Sequence, residues 1–209
     1  MTRLSVLFFA CLVFFSACSN PADNASKAIV TDASTPAVSI PIKGTALPFA
    51  AENSSIEFIG SKMTGIENCS FKKFSGTVDL VADKPEQSSV RVAIDLNSVE
   101  AKVGKLTEHL KSADFFDVVK FSKATFTSSE IKSGGEKGAT HTVTGTLDLH
   151  GFKKTLTFPA TIKMEADAVS VASEFAVNRK DFGLVYPGKA DDLIRDEVLL
   201  KLAVKAPRR

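Results

Sequence analysis

Three histidines, a lone cysteine in the body of the chain and a crowd of phenylalanines are the residues whose types could support chemistry or binding. His109, His141 and His150 stand at separations that match no compact metal signature, and no G-x-S-x-G, P-loop or paired-cysteine motif accompanies them. The chain is therefore read as a non-enzyme with no metal centre and no cofactor. Cys69 has no histidine beside it in sequence to lower its pKa, so it reads as a small half-buried residue rather than a nucleophile. The aromatic residues point to a different chemistry. There are 16 Phe, 1 Tyr and no Trp, and "SADFFDVVKFSKATF" crowds Phe115, Phe116, Phe121 and Phe126 together. A Phe ring is apolar and carries no hydroxyl or N–H to leave unsatisfied, which suits either a solid core or the wall of a channel for a greasy chain.

The elements that must position these rings follow a period of two, the mark of strands with one buried face. In "SSVRVAIDL" Val90, Val92, Ile94 and Leu96 share a side, and in "HTVTGTLDL" Val143, Leu147 and Leu149 oppose threonines and Asp148. "FSGTVDLVA", "KTLTFPATIKM" and "EVLLKLAVK" alternate likewise, and "SSIEFIGS", "KATFTSSEI" and "DAVSVASEFAVN" bring the number to about eight strands, separated by turns such as "ADKPE" and "HGFKK". Eight antiparallel strands closed on themselves form a barrel whose interior is filled by side chains or holds one small ligand. One segment departs from this period: Val99, Val103, Leu106 and Leu110 step at helical spacing, with Asn97 or Ser98 as N-cap. This helix and its Phe-rich exit are expected to lie across the barrel between its third and fourth strands. Phe121 is expected to begin the next strand, and Phe126 to share a face with Ala124 and Ser128.

The chain opens with one cation, Arg3, and an uncharged run from Leu4 to Ala17. That run is shorter than the roughly 20 residues that span a bilayer, so it reads as an export signal. It ends in Phe15-Ser16-Ala17-Cys18, small residues directly before a cysteine, which resembles the lipobox of bacterial lipoproteins. That resemblance implies cleavage before Cys18 and diacylglycerol on its thiol, with Ser19 directing the product to the outer rather than the inner membrane. A plain secretory signal is the alternative reading. Residues 18–45, rich in Ala, Ser, Thr and Pro, read as a flexible tether, and 46–209 as one domain. With Cys11 in the signal and Cys18 acylated, Cys69 has no disulfide partner. The formal net charge of +2 and the interspersed signs argue against nucleic acid as a partner.

The order "SSIEF…FKKFSGTVDL…SSVRVAIDLNSVEA…EHLKSADFFDVVKFSKATFTS…VTGTLDLHGFKKTLTFPA…NRKDFGL" resembles the YceI-like, polyisoprenoid-binding family from about Asn53 to Val204. The resemblance implies an all-β, eight-stranded antiparallel, lipocalin-like barrel with one or two short helices, exported to the periplasm. It further implies an elongated apolar channel for a prenyl or acyl chain, no cofactor, no turnover, and homodimerisation as a possibility. "GSKMTGIENCSF", which holds Cys69, departs from the common family pattern.

On these grounds the channel is expected to be lined by Phe58, Phe74, Val92, Ile94, Phe115, Phe116, Phe126, Leu147, Phe158, Phe175 and Phe182. A polar head group would meet Arg179 or Lys180, with Lys153 and Lys154 as further candidates, Arg being able to grip a pyrophosphate with two parallel hydrogen bonds. Burying about twenty ligand carbons would contribute on the order of 16 kcal/mol before association costs remove much of it. The leading reading is a membrane-tethered periplasmic protein that holds a polyisoprenoid or other long-chain lipid for transport, storage or sequestration. The competing reading is a filled barrel that binds an envelope protein through its outer surface.

Overall fold

The computed structural model describes residues 20–33 and 44–208. The signal, Cys11 and Cys18 lie outside the described residues. In chain order the strands are β1 (Ser26–Lys27), β2 (Ile29–Asp32), β3 (Thr45–Ala50), β4 (Ser55–Lys62), β5 (Gly65–Phe71), β6 (Phe74–Leu80), β7 (Ser89–Asp95) and β8 (Val99–Ala101). Helix α1 (Gly104–Lys111) follows, then β9 (Lys123–Ser133), β10 (His141–Leu149), β11 (Phe152–Met164), β12 (Ala168–Asn178), β13 (Gly188–Lys189), β14 (Asp192–Leu193) and β15 (Glu197–Pro207).

One curled, overwhelmingly antiparallel sheet runs in the order β3-β6-β7-β9-β10-β11-β12-β15-β4-β5-β8. All eight strands expected from alternation are present, and the count is larger than eight because β3, β5 and β8 join the sheet, with β1 and β2 attached at its seam. The barrel class stands. Alternation survives even where the ladder slips: between β9 and β10 the register shifts at Thr144/Gly145, leaving Ser129 unpaired. The extra residue switches parity, so that Ala124 and Phe126 before it and Ile131 after it all contribute to the interior.

The N-terminal segment departs from the tether reading. Over residues 20–33 it belongs to the sheet: β1 pairs in parallel with β12 (Ser26 opposite Phe175), and β2 pairs antiparallel with β11 (Val30 opposite Leu156). β11 and β12 pair directly only from Thr161↔Ala172 to Met164↔Val169, and where they diverge β1 and β2 fill the gap. The physical reason lies in strands that are apolar on both faces. Ala176, Leu199 and Ile59 are cross-strand neighbours on the outer side of β12, β15 and β4, and the short 3₁₀ turn Pro21–Asn24 covers them with the fully buried Ala22. Asn20 fixes this cover by accepting from Ser61 Oγ at 2.9 Å.

The helix also differs from expectation. Val99 belongs to β8, which pairs with β5 (Val99 opposite Phe71, Ala101 opposite Cys69), and Leu96–Ser98 is a 3₁₀ turn capped by Asp95, whose Oδ1 accepts from Asn97 N at 3.0 Å. α1 starts only at Gly104, its N-cap is Val103 with no side-chain hydrogen bond, and neither Asn97 nor Ser98 caps it. The free edge of β5 recruits Val99 into a ladder that helical periodicity alone could not reveal. Phe121 likewise precedes β9 and packs its ring 4.7 Å from that of His150.

Candidate functional site

The inward rows of β4, β5, β7, β9, β10, β11, β12 and β15, closed over by α1 and its Phe-rich exit, surround a cavity of about 640 Å³. That volume lies within the range that engulfs a small-molecule ligand. Three groups of rings shape it. Phe58, Phe71 and Phe116 meet with centroids 5.6–5.9 Å apart and form one wall. Phe126, Phe158 and Phe175 form a second, Phe158 stacking on Phe175 at 4.4 Å. Phe115, His109 and Tyr186 cluster at the end where polar side chains appear, with centroids 5.0–5.4 Å apart.

Helix α1 exists to close this roof. Leu106 and Leu110, one turn apart, both reach the cavity, and Ala101 N donating to Thr107 Oγ1 at 2.9 Å fixes the helix to β8. Beyond its C-terminus Asp117, in the left-handed region at φ 44°, turns the chain so that Phe115 and Phe116 point inward while its carboxylate pairs with Lys120 at 2.9 Å.

Of the eleven side chains expected to line a ligand channel, ten border this cavity: Phe58, Val92, Ile94, Phe115, Phe116, Phe126, Leu147, Phe158, Phe175 and Phe182. Phe74 does not. It sits opposite Ile94 at the start of β6 and is buried in the adjoining core instead.

The head-group candidates are corrected more sharply. Arg179 borders the cavity but is a buried structural clamp: its Nε donates to Arg195 O at 3.1 Å, Nη1 to Leu184 O, and Nη2 to Ile194 O at 3.4 Å and to Asp196 Oδ1 at 3.2 Å. Burial lowers its pKa and the Asp196 carboxylate opposes that shift, so its charge is already compensated within the protein. Lys180 is not on the cavity wall and pairs with Asp196 at 2.8 Å. Lys153 and Lys154 are held by Asp148 at 3.5 Å and Asp32 at 2.6 Å.

The polar rim consists of residues the sequence reading missed: Lys62, Glu67, Lys105, His109, Tyr186, Lys189 and Asp192. Lys62 and Asp192 pair at 2.9 Å across two hairpins, and His109 Nε2 lies 2.8 Å from Asp114 Oδ2. Their only sequence signal was position: Lys62, Lys189 and Asp192 adjoin hairpin turns and Lys105 and His109 lie near the ends of α1, whereas Glu67 inside β5 and Tyr186 in the loop before β13 carried none. Cys69 faces the cavity, and burial, helped by Glu67, pushes its thiol up to about 11, so it is protonated and inert at neutral pH. Neither His141, which contacts Thr140 and Glu86, nor His150, against Phe182 O, borders the cavity. A second hollow of about 760 Å³ is an open groove along β3, β6, β7 and β9. Its lining mixes apolar Pro48, Phe49, Val92, Ala93 and Phe126 with Ser75, Thr77, Arg91, Thr125 and Thr127, and because it is an open groove a chain lying in it would keep one side in water.

This combination of curled sheet and internal apolar hollow defines a class of small barrels that hold a ligand inside. A profile of the YceI-like domain matches residues 48–206, and the chain belongs to that family. It is similar to a UPF0312 protein of Pseudomonas fluorescens, 35% identical over 137 residues, 63% of this chain and 70% of that one. A Pseudomonas putida relative is 37% identical over 124 residues, and the chain spans 64% of its length. Among solved structures, Burkholderia cenocepacia BcnA superposes with a TM-score of 0.65 at 26% identity, covering 73% of this chain and 96% of that one. A polyisoprenoid binding domain from Saccharophagus degradans shares the fold, with a TM-score of 0.60 at 20% identity over 78% of this chain and 100% of that one.

Proposed function

We propose that this protein is a carrier or sequestering protein for a polyisoprenoid or similar long-chain lipid, held in the internal cavity without chemical turnover. The observation that carries the reading is a hollow of about 640 Å³ walled by ten of the expected apolar side chains, with every charged group of its lining gathered at one end. Such a cavity desolvates a chain along its length and leaves only a head group near water. The solved polyisoprenoid binding domain from Saccharophagus degradans supports the ligand class.

The protein is exported and held at the periplasmic face of a membrane through an acylated Cys18, a reading supported by the apolar run Leu4–Ala17 and the small residues before Cys18. Metabolic labelling with a palmitate analogue tests the anchor: label on the wild type and none on Cys18→Ser is expected, and unlabelled wild type would contradict it. Native mass spectrometry of protein purified from its own envelope without detergent tests the ligand. A near one-to-one adduct that extraction identifies as a prenyl or acyl lipid is expected. A clean apo mass that stays unchanged when prenyl lipids are offered would instead favour a barrel acting through its outer surface.

A further inference from the structure

The following inference rests on the lipid-binding reading. The polar end of the cavity is also where exposed aliphatic side chains collect. Val103 lines the mouth and is 53% exposed, while Met63, Ile66, Val185 and Leu193 each directly adjoin a lining residue and are 42–63% exposed. They sit on three elements that are fastened together. Met63 N donates to Leu193 O at 3.2 Å, Lys62 pairs with Asp192, and the His109 ring on α1 meets Tyr186, the neighbour of Val185. Aliphatic tips on adjoining turns form a contiguous apolar rim, a feature that marks an interaction surface.

The charges around this rim choose the partner. Lys102, Lys105, Lys189 and Arg195 are exposed and have no ion-pair partner among the described residues. Against them stand exposed Asp191, exposed Asp114 beside His109, half-buried Glu67, and Asp192 already neutralised by Lys62. Aliphatic tips interleaved with free cations match the boundary of an anionic bilayer, where lysines meet lipid phosphates and aliphatic groups enter the acyl edge. A second copy of the chain fits less well, because a two-fold contact here would set the same lysines against each other.

We propose that the barrel docks mouth-down on an anionic lipid bilayer, with Met63, Val103 and Leu193 entering the headgroup boundary, so that a lipid chain passes between membrane and cavity without crossing water.

The test uses the chain from residue 18 onward with Cys18→Ser, which keeps every described residue and removes the acylation site, and vesicles of phosphatidylcholine with or without phosphatidylglycerol. Co-sedimentation with the anionic vesicles is expected, weakening with added salt. It should fall about tenfold in a Met63→Asp/Leu193→Asp variant and in a Lys105→Glu/Lys189→Glu variant. Ile29→Asp, on β2 away from the mouth, should bind like the parent. Equal binding by Met63→Asp/Leu193→Asp and the parent, or no binding by the parent, would overturn the proposal. So would a concentration-dependent dimer that the same pair of substitutions abolishes, which would assign the rim to a second copy. Uptake of a prenyl lipid from solution, read by native mass spectrometry, separates this from the reading beneath it: Met63→Asp/Leu193→Asp should still load one-to-one. A parent that takes up no lipid would remove the lipid-binding reading whatever the vesicles show.

Discussion

The two ends of the barrel are built from the same alternating strands and the same residue types, yet one is solid and the other hollow. At the far end Leu47, Val78, Leu80, Ile131, Val143, Ala160, Val169 and Ala206 are buried, and none of them borders the cavity. At the near end Ile94, Phe116, Leu200 and their neighbours leave about 640 Å³ open. At the solid end inward residues from opposite walls meet. At the hollow end the walls are held apart, and α1 with Phe115 and Phe116 roofs the space without filling it. A strand pattern alone does not decide between plug and pocket; what crosses the barrel axis does.

On the cavity wall a Cβ on Gly60 would meet nothing within 4 Å, so the inner face of β4 there borders open space.

Removing residues 20–33 should have the largest effect on this contrast. Val30, Ala28 and Ala22 would leave their sites and the seam between β11 and β12 would open beside Phe158 and Phe175. A loss of about 4 kcal/mol in urea unfolding is expected, from the buried apolar groups and lost ladder bonds, together with increased binding of an apolar dye. Unchanged stability would show that the segment is a tether after all. Next, Leu47→Ala at the solid end should cost about 3 kcal/mol and leave ligand affinity alone, while Leu200→Ala on the cavity wall should cost about 1 kcal/mol and weaken binding severalfold. Equal costs would mean that the near end is packed as tightly as the far one.

A pH-dependent effect concerns Cys69. Its thiol is held protonated in the fold, raised from an ordinary value of 9.0 to about 11, so the folded state binds the extra proton between those values. The stability this provides is whole below about pH 9 and is lost as pH rises toward 11. The difference in unfolding free energy between wild type and Cys69→Ala should therefore shrink by about 2 kcal/mol across that window. A flat difference would place the thiol in water.

Much of this architecture was legible because strands with one wet face advertise themselves. "SSVRVAIDL" and "HTVTGTLDL" showed both their extent and their inward side, and the cavity wall followed with Phe74 as the single exception. What stayed hidden were features that depend on a partner distant in sequence. Val99 looked helical until the edge of β5 offered it a ladder, and residues 20–33 looked too polar to pack until Ile59, Ala176 and Leu199 offered an apolar outer face. The clue was in the chain: Phe58-Ile59, Leu199-Leu200 and Phe175-Ala176-Val177 set apolar residues consecutively, which a strand tolerates only when both its faces are covered. Arg179 was misread because a turn-side arginine looks free until its carbonyl partners are known.

Gly60 allows the cavity's role to be tested directly. Its side-chain position points into open space and carries no positive φ, so Gly60→Leu should fold with stability within about 1 kcal/mol of wild type while its side chain occupies the hollow. Titration of both proteins with a fluorescent farnesyl probe is the measurement to make. One-to-one binding to wild type, weakened at least about tenfold in Gly60→Leu, is the predicted result. Equal affinity for the two proteins, or no binding to either, would contradict a lipid chain held in this cavity.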